Sequence, residues 1–269
     1  MHNRLLSLDV FRGITVAAMI LVNNPGDWGH VYAPLLHAHW HGCTPTDLIF
    51  PFFLFIVGVS ISFAMGKTKP SVWKIIKRSA ILFGLGLFLN LYPKFDFATV
   101  RIPGVLQRIA LVYVTCSIIF IKTTRTTQLW ITACSLIGYY LLMTFVPVPD
   151  VGYANLEPTT NLGAWIDRNI LTTAHLWKSA KVWDPEGLFS TLPAIGTGLL
   201  GVLTGQWLRS EKAAAEKIAW LFLSGNALIV GGLIGDLFFP INKALWTSSY
   251  VLYAGGWAMV GLAACYWLI

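Results

Sequence analysis

The residues between positions 37 and 48 form a cluster of proton-transferring side chains directly before an apolar run. The segment contains His37, His39 and His41, followed by Asp47. An imidazole titrates near neutral pH, and a neighbouring carboxylate can orient it and stabilise its charged form. These residue types predict general-base chemistry, and they leave open which of the three histidines performs it.

Two other roles are open to the same residues. His37 and His41 are four positions apart, a spacing that suits zinc, but a third ligand is missing. The nearby Gly42 and Pro45 also argue against a regular helix, so we predict no metal. Asp47 stands where a carboxylate commonly caps a helix, and capping does not exclude a catalytic role.

The composition places this cluster at a membrane boundary. Hydrophobic residues make up 56% of the 269 residues and charged residues only 12%, against roughly 25% charged in soluble domains. Apolar runs that approach the ~20 residues needed to cross a bilayer recur along the chain. We predict an all-α, polytopic transmembrane helical bundle of about eight spans, at Leu8–Asn24, Asp47–Gly66, Ser79–Tyr92, Val105–Ile121, Gln128–Val146, Thr191–Leu208, Ile218–Phe239 and Ser249–Ile269.

The distribution of Lys and Arg predicts the orientation of this bundle. With the N-terminus in the cytoplasm, the cytoplasmic segments hold more of these residues than the opposite segments do. The His37–Asp47 segment then lies outside. The formal net charge of +7 mainly reflects the same asymmetry, so we predict no nucleic-acid partner.

Polar residues inside the spans are functional candidates, because an ionisable group costs about 2.5–3.5 kcal/mol in a bilayer. Asp9, Arg12 and Asn23 share one face of the first span. That face would extend roughly 21 Å, from the cytoplasmic boundary to the outer one. The simpler interpretation is an Asp9–Arg12 ion pair that anchors the helix.

Gln107 and Arg108 lie in the outer part of the fourth span. An arginine at this depth needs an anionic partner. Three partners are open: Asp47, a phosphate-bearing ligand, or an acid on a neighbouring helix in a structural ion pair.

Residues 1–269 read as one transmembrane domain with an extracytoplasmic loop at about 147–190. The last span ends on Tyr266–Ile269 without a polar anchor, which predicts a chain truncated at its C-terminus. No inverted halves are visible, and this disfavours a transporter.

Several motifs resemble, in the right order, those of the heparan-α-glucosaminide N-acetyltransferase family, including its bacterial members. The resemblance implies a transmembrane enzyme that takes an acetyl group from cytoplasmic acetyl-CoA and gives it to a terminal glucosamine on the far side. Family members are usually longer than this chain. The matching segments are Arg4–Gly13, Val22–Pro25, His37–Gly42, Asp47–Pro51, Arg101–Arg108, Asp184–Gly187 and Pro240–Trp246.

The resemblance also implies roles for individual residues. The family's catalytic histidine precedes a small residue, any residue, Trp, any residue and Gly, and His37 occupies that position. Asp47 matches the family's acid, and Asn23 matches its asparagine at the end of the first span. We predict His37, Asp47 and Asn23 as catalytic, Arg12, Gln107 and Arg108 as acetyl-CoA-binding, and Trp40, Asn24 and Lys243 as substrate-binding.

The predicted function is acetyl transfer from cytoplasmic acetyl-CoA to an extracytoplasmic amino sugar or glycan. His37 would act as the base, Asn23 or Asn24 would stabilise the oxyanion, and Arg12 with the Lys67–Arg78 loop would hold the nucleotide phosphates. The alternative is a small-molecule transporter or membrane sensor that uses the same buried polar residues. The resemblance further predicts a multi-pass protein of the bacterial inner membrane, and a homodimer is left open.

Overall fold

The computed structural model describes residues 5–66 and 70–269. Within these ranges the chain forms α-helices joined by loops and short 3₁₀ turns, and the only β-type pairing is a single bridge between Gly42 and Asn242. The helices are α1 Leu6–Asn23, α2 Ile49–Met65, α3 Val72–Leu91, α4 Val105–Lys122, α5 Arg125–Phe145, α6 Leu162–Leu171, α7 Thr191–Leu208, α8 Ala214–Asp236 and α9 Ser248–Leu268.

Each of the eight predicted spans coincides with a helix, and six helical segments of the described chain are long and apolar enough to cross a membrane. The two long helices outside that group are α3 and α7. Helix α3 begins at Val72 and carries Lys74, Lys77 and Arg78 in its first turns. The predicted Lys67–Arg78 loop is therefore wrong from Val72 onward, because those basic residues belong to a helix. Lys67 and Lys69 of the predicted loop lie outside the described residues.

Helix α7 lies at the centre of the bundle and packs against α2 at backbone contact distance. A Cβ atom built on Gly58 would lie 1.9 Å from the carbonyl oxygen of Gly198, and one on Gly201 would lie 2.1 Å from that of Phe55. Small residues at such positions let membrane helices approach closely. The close approach explains why α7 is rich in glycine and threonine, since neighbouring helices rather than lipid surround it.

We expect Gly201→Val to destabilise the bundle by at least about 2 kcal/mol, because its side chain would overlap the backbone of α2. Thermal unfolding in detergent would measure this as a lower midpoint. The matched control is Gly138→Val in α5, where nothing lies within 4 Å of an added Cβ. Equal midpoints for the two variants would contradict the α2–α7 packing.

The loops before α2, α4, α7 and α9 meet at one end of the bundle. The indole Nε1 of Trp40 donates to the carbonyl oxygen of Leu156 at 2.9 Å. The amide of Ile102 donates to the carbonyl oxygen of His175 at 3.0 Å. The loop after α5, which contains α6, covers this end. Residues distant in sequence are thereby assembled around the His37–Asp47 segment.

Candidate active site

Asp47 is held by the turn that leads into α2. Residues Pro45–Leu48 form a 3₁₀ turn with a capping box between Thr44 and Asp47. One carboxylate oxygen of Asp47 accepts hydrogen bonds from the amides of Ala38 and Thr44, both at 3.0 Å, and from the Thr44 hydroxyl at 3.1 Å. The side chain is 1% exposed, so its orientation is fixed by these bonds.

The other carboxylate oxygen of Asp47 faces His37. It lies 2.7 Å from Nδ1 of His37, and the imidazole is 57% exposed. Because an ionised carboxylate only accepts, Nδ1 carries a proton, and in the neutral imidazole Nε2 then keeps its lone pair. The capping and catalytic roles considered for Asp47 thus belong to different oxygens of the same group.

Lys243 completes this centre from the turn between α8 and α9. Its Nζ lies 3.1 Å from Nδ1 and 3.4 Å from Nε2 of His37, and 3.6 Å from the facing oxygen of Asp47. Burial lowers the pKa of Lys243, an effect that the carboxylates of Asp47 and Glu186 partly offset. The predicted residues His37, Asp47 and Lys243 therefore share one site.

A second set of hydrogen bonds fixes the Lys243 turn. The Gly42 amide donates to the carbonyl oxygen of Ile241 at 2.7 Å, which ties the histidine loop to this turn. Asn242 is fully buried, and its side-chain oxygen accepts from the amide of Leu245 at 2.9 Å. The hydroxyl of Tyr250 donates to the carbonyl oxygen of Asp47 at 2.5 Å. Both halves of the site are thus joined through backbone groups.

The centre opens into a cavity of about 390 Å³ with aromatic and charged walls. Trp40 and Trp183 meet edge to face at 5.1 Å, and Trp183 meets Trp177 in the same way at 5.6 Å. Indole rings offer flat apolar surfaces beside polar groups. The lining residues are His37, Ala38, His39, Trp40, Asp47, Arg101, Trp177, Trp183, Pro185, Glu186, Lys243 and Ala244.

One wall of the cavity is an ion-pair network whose roles the sequence analysis did not assign. Arg101 donates from Nε to Asp184 at 2.8 Å, and its Nη2 lies 2.5 Å from both Asp184 and Glu186. Arg101 and Glu186 line the cavity. The segments Arg101–Arg108 and Asp184–Gly187 were recognised only as family motifs. The opposite charges that they carry were the one sequence signal of a contact, and they do not say which charges pair.

Gln107 and Arg108 lie outside the residues that line the cavity. The Arg108 side chain is 1% exposed, donates to the carbonyl oxygen of Gly187 at 3.0 Å and to the Ser190 hydroxyl, and stacks over the Trp246 ring at 5.0 Å. Its observed partners are thus neutral groups rather than Asp47, because the turn before α7 presents acceptors directly beside α4. Gln107 packs against Gly86 of α3.

Asp167 is a buried acid of α6 that contacts Gly187 and Leu188, the two residues that follow Glu186. Its carboxylate accepts from the amide of Leu188 at 2.8 Å, and a Cβ atom on Gly187 would lie 1.8 Å from it. Burial raises the pKa of Asp167 from 3.8 to about 6, and the nearby charge of Asp184 acts in the same direction. Ionised Asp167 therefore costs stability in the folded protein.

We expect Asp167→Asn to stabilise the protein relative to wild type increasingly as the pH rises. Because the pKa of Asp167 is higher in the folded state than in the unfolded state, ionising Asp167 lowers the free energy of unfolding of wild type. This loss is absent below about pH 4 and complete above about pH 6, where it amounts to about 2–3 kcal/mol. The amide oxygen can still accept from Leu188. Thermal midpoints of both proteins at pH 4.5 and 7.5 measure the effect. A difference that stays constant across this range would contradict it.

Arg12 borders a separate cavity of about 320 Å³. Its guanidinium donates to Asp9 at 3.0 Å and to the Ser60 hydroxyl at 3.1 Å, so the predicted Asp9–Arg12 pair is present. Arg78 and Tyr113 also line this cavity, with the Arg78 guanidinium 5.3 Å from the Tyr113 ring centre. Two arginines thus point toward one apolar space between α1, α2, α3 and α4.

The structure does not bring Asn23 and Asn24 to the His37 site. Both are exposed at the end of α1 and neither lines the cavity. The Asn24 side chain donates to the carbonyl oxygen of Ile20 at 2.8 Å. Among the described residues, no group of three or more His, Cys, Asp or Glu side chains is arranged to hold a metal ion.

These features define a multi-pass helical membrane protein with a histidine–carboxylate pair facing a pocket at one end of the bundle. The chain belongs to the heparan-α-glucosaminide N-acetyltransferase family, whose catalytic-region model, described as "Heparan-alpha-glucosaminide N-acetyltransferase, catalytic", matches residues 4–237. The family resemblance identified from the motifs is thereby confirmed.

Two relatives carry the same name. The chain is 31% identical to heparan-alpha-glucosaminide N-acetyltransferase of Mus musculus, over 93% of this chain and 47% of the relative. It is 30% identical to the Homo sapiens protein, over 98% of this chain and 48% of that protein. The chain therefore spans about half the length of the curated relatives it matches.

Proposed function

We propose that this protein transfers an acetyl group from acetyl-CoA, entering from the cytoplasm, to an amino sugar or glycan outside. The observation that carries the proposal is the His37–Asp47 pair, whose free Nε2 is presented at an aromatic-walled cavity. A cytoplasmic N-terminus and eight spans, in a bacterial inner membrane, complete the proposed topology. The excess of Lys and Arg in the segments opposite this cavity supports that orientation.

The Arg12 cavity supports the assignment of the donor site. The guanidinium groups of Arg12 and Arg78 suit the phosphates of CoA, because arginine binds phosphate oxygens bidentately. Ser60, beside Arg12, lies thirteen residues from Asp47 through the 3₁₀ turn and α2, or roughly 20 Å at 1.5 Å per residue. When bound, acetyl-CoA supplies an activated thioester, and the apolar lining of this cavity suits the arm that carries it toward His37. Gln107 and Arg108 remain proposed contacts of acetyl-CoA.

In the proposed reaction His37 is the general base. Asp47 holds the imidazole with Nδ1 protonated, so Nε2 can take a proton from the acceptor amine as it attacks the acyl carbon. Asp47 also stabilises the imidazolium that forms, a role that a buried and hydrogen-bonded carboxylate fills well.

The cavity walls support a sugar as the acceptor. The indole rings of Trp40, Trp177 and Trp183 can cover the apolar faces of a pyranose, while Glu186 and Arg101 can bind its polar groups. Trp40, Asn24 and Lys243 are the proposed substrate contacts from the sequence. Of these three, Trp40 and Lys243 line the cavity.

Acetyl transfer from labelled acetyl-CoA to glucosamine by the purified protein in liposomes tests the proposal. N-acetylglucosamine, which lacks a free amine, is the matched control acceptor. We expect label on glucosamine only. Uptake of the sugar into liposomes without acetyl-CoA, and without acetylation, would instead identify a transporter and would overturn the proposal.

A further inference from the structure

The proposed transfer needs a hydrogen-bond donor for the acyl oxygen, which becomes negative when the amine attacks the acyl carbon. Hydrogen-bond donors placed at that oxygen are commonly the largest single contribution to catalysis of acyl transfer. Asn23 and Asn24, predicted for this role, do not line the His37 cavity. A donor therefore has to come from elsewhere in the site.

The cavity offers few charged hydrogen-bond donors beside His37. The amides of Ala38 and Thr44 already donate to Asp47. The guanidinium of Arg101 donates to Asp184 and Glu186. The remaining cation of the lining is the ammonium of Lys243, whose contact with Asp47 is long, at 3.6 Å.

We infer that Lys243 is a catalytic residue that stabilises this oxyanion, an assignment that rests on the proposed function. Its Nζ lies 3.1 and 3.4 Å from the two ring nitrogens of His37, almost equidistant from them. Nδ1 already donates to Asp47 and cannot accept from the ammonium, so the three N–H groups of Lys243 have two acceptors in reach, Nε2 at 3.4 Å and Asp47 at 3.6 Å. At least one N–H of Lys243 is therefore free to bind an acyl oxygen next to Nε2.

The backbone that carries Lys243 is fixed before any substrate binds. The turn that carries Lys243 is tied to the histidine loop by the Gly42–Ile241 hydrogen bond and by the buried Asn242. A preorganised donor of this kind needs no reorganisation when charge develops.

The step balances with the groups named. The amine nitrogen forms a bond to the acyl carbon, the amine proton moves to Nε2 of His37, and the carbonyl oxygen takes the negative charge beside Lys243. The carbonyl then reforms as the carbon–sulfur bond breaks. The thiolate leaves and takes the proton from His37, so no further reactant is needed.

Lys243→Met tests the inference, with Lys243→Arg as the charge-conserving variant. We expect Lys243→Met to lower kcat by about 10²–10³, with KM for both substrates changed by less than about threefold. Lys243→Arg should recover part of the loss. The control is Lys178→Met, since Lys178 lies outside the lining and its Nζ contacts Thr99 at 3.5 Å.

The pH profile separates catalysis from mere support of the fold. Wild-type activity should fall as Lys243 loses its proton, below the ordinary lysine range, and this fall should be missing in Lys243→Arg. The acceptor amine titrates equally in both proteins, so it cancels in the comparison. The titratable or charged groups that face Lys243 are His37, Cys43, Asp47, Arg101 and Glu186.

The possible failures are distinguishable. If wild type and Lys178→Met both transfer acetyl while Lys243→Met keeps kcat within about threefold of wild type, the oxyanion role is wrong and the proposed function stands. A rise in KM alone would reduce Lys243 to a binding residue and would also overturn the inference. If wild type transfers no acetyl group to glucosamine, both the proposed function and the role of Lys243 are wrong.

Discussion

Replacing His37 with alanine is expected to lower the rate of acetyl transfer to glucosamine by about 10²–10⁴, the usual worth of a positioned general base. The imidazole is the one ring held by Asp47, and its free Nε2 is presented at the cavity. Without it, the attacking amine loses its proton acceptor. Initial rates with labelled acetyl-CoA measure the effect at constant pH.

His39 supplies the matched control, since it lines the same cavity two residues away. Asp47 pairs with the ring of His37 at 2.7 Å and not with that of His39. His39→Ala should therefore keep activity within about threefold of wild type. Equal losses in the two variants, or full activity in His37→Ala, would show that the base has been misassigned.

Asp47→Asn is expected to lower transfer by a similar factor, about 10²–10⁴, because neutralising the acid of a histidine–carboxylate pair removes both the correct tautomer and the stabilised imidazolium. The amide oxygen of the new side chain can still accept from Ala38 and Thr44. The fold should therefore persist while the activity is lost. Initial rates and thermal midpoints, measured on the same samples, separate the two effects.

The chain contains a second aspartate–histidine pair that serves as the control. Asp27 lies 2.5 Å from Nδ1 of His30 in an exposed loop, outside the cavity lining. Asp27→Asn removes a contact of the same chemistry and should leave transfer unchanged. If Asp47→Asn retained wild-type rates at an unchanged thermal midpoint, Asp47 would be only a helix cap.

The helices were predictable wherever an apolar run stood alone. The predicted fourth span, Val105–Ile121, differs from helix α4 by one residue at its end. The start of α3 was missed because Lys74, Lys77 and Arg78 resemble a loop when read without the neighbouring helices. In the structure, Arg78 instead stacks on Tyr113 and borders the Arg12 cavity.

The site was predictable only as far as its residues are close in sequence. His37 and Asp47 are ten positions apart and follow from local chemistry and a motif. The Arg101–Asp184 pair joins residues 83 positions apart, so no local pattern could reveal it. Asn23 shows the opposite case, since it is near His37 in sequence yet exposed at the end of its helix.

The hydrogen bond between Gly42 and Ile241 determines when the site can form during synthesis of the chain. Lys243 and His37 are separated by 206 positions, and the hydrogen bond that joins their loops runs between main-chain atoms of Gly42 and Ile241. During synthesis the histidine loop is therefore made 206 residues before the lysine that faces it. The His37–Lys243 centre can form only once the turn between α8 and α9 has been made, so we expect a chain that ends before Lys243 to be inactive.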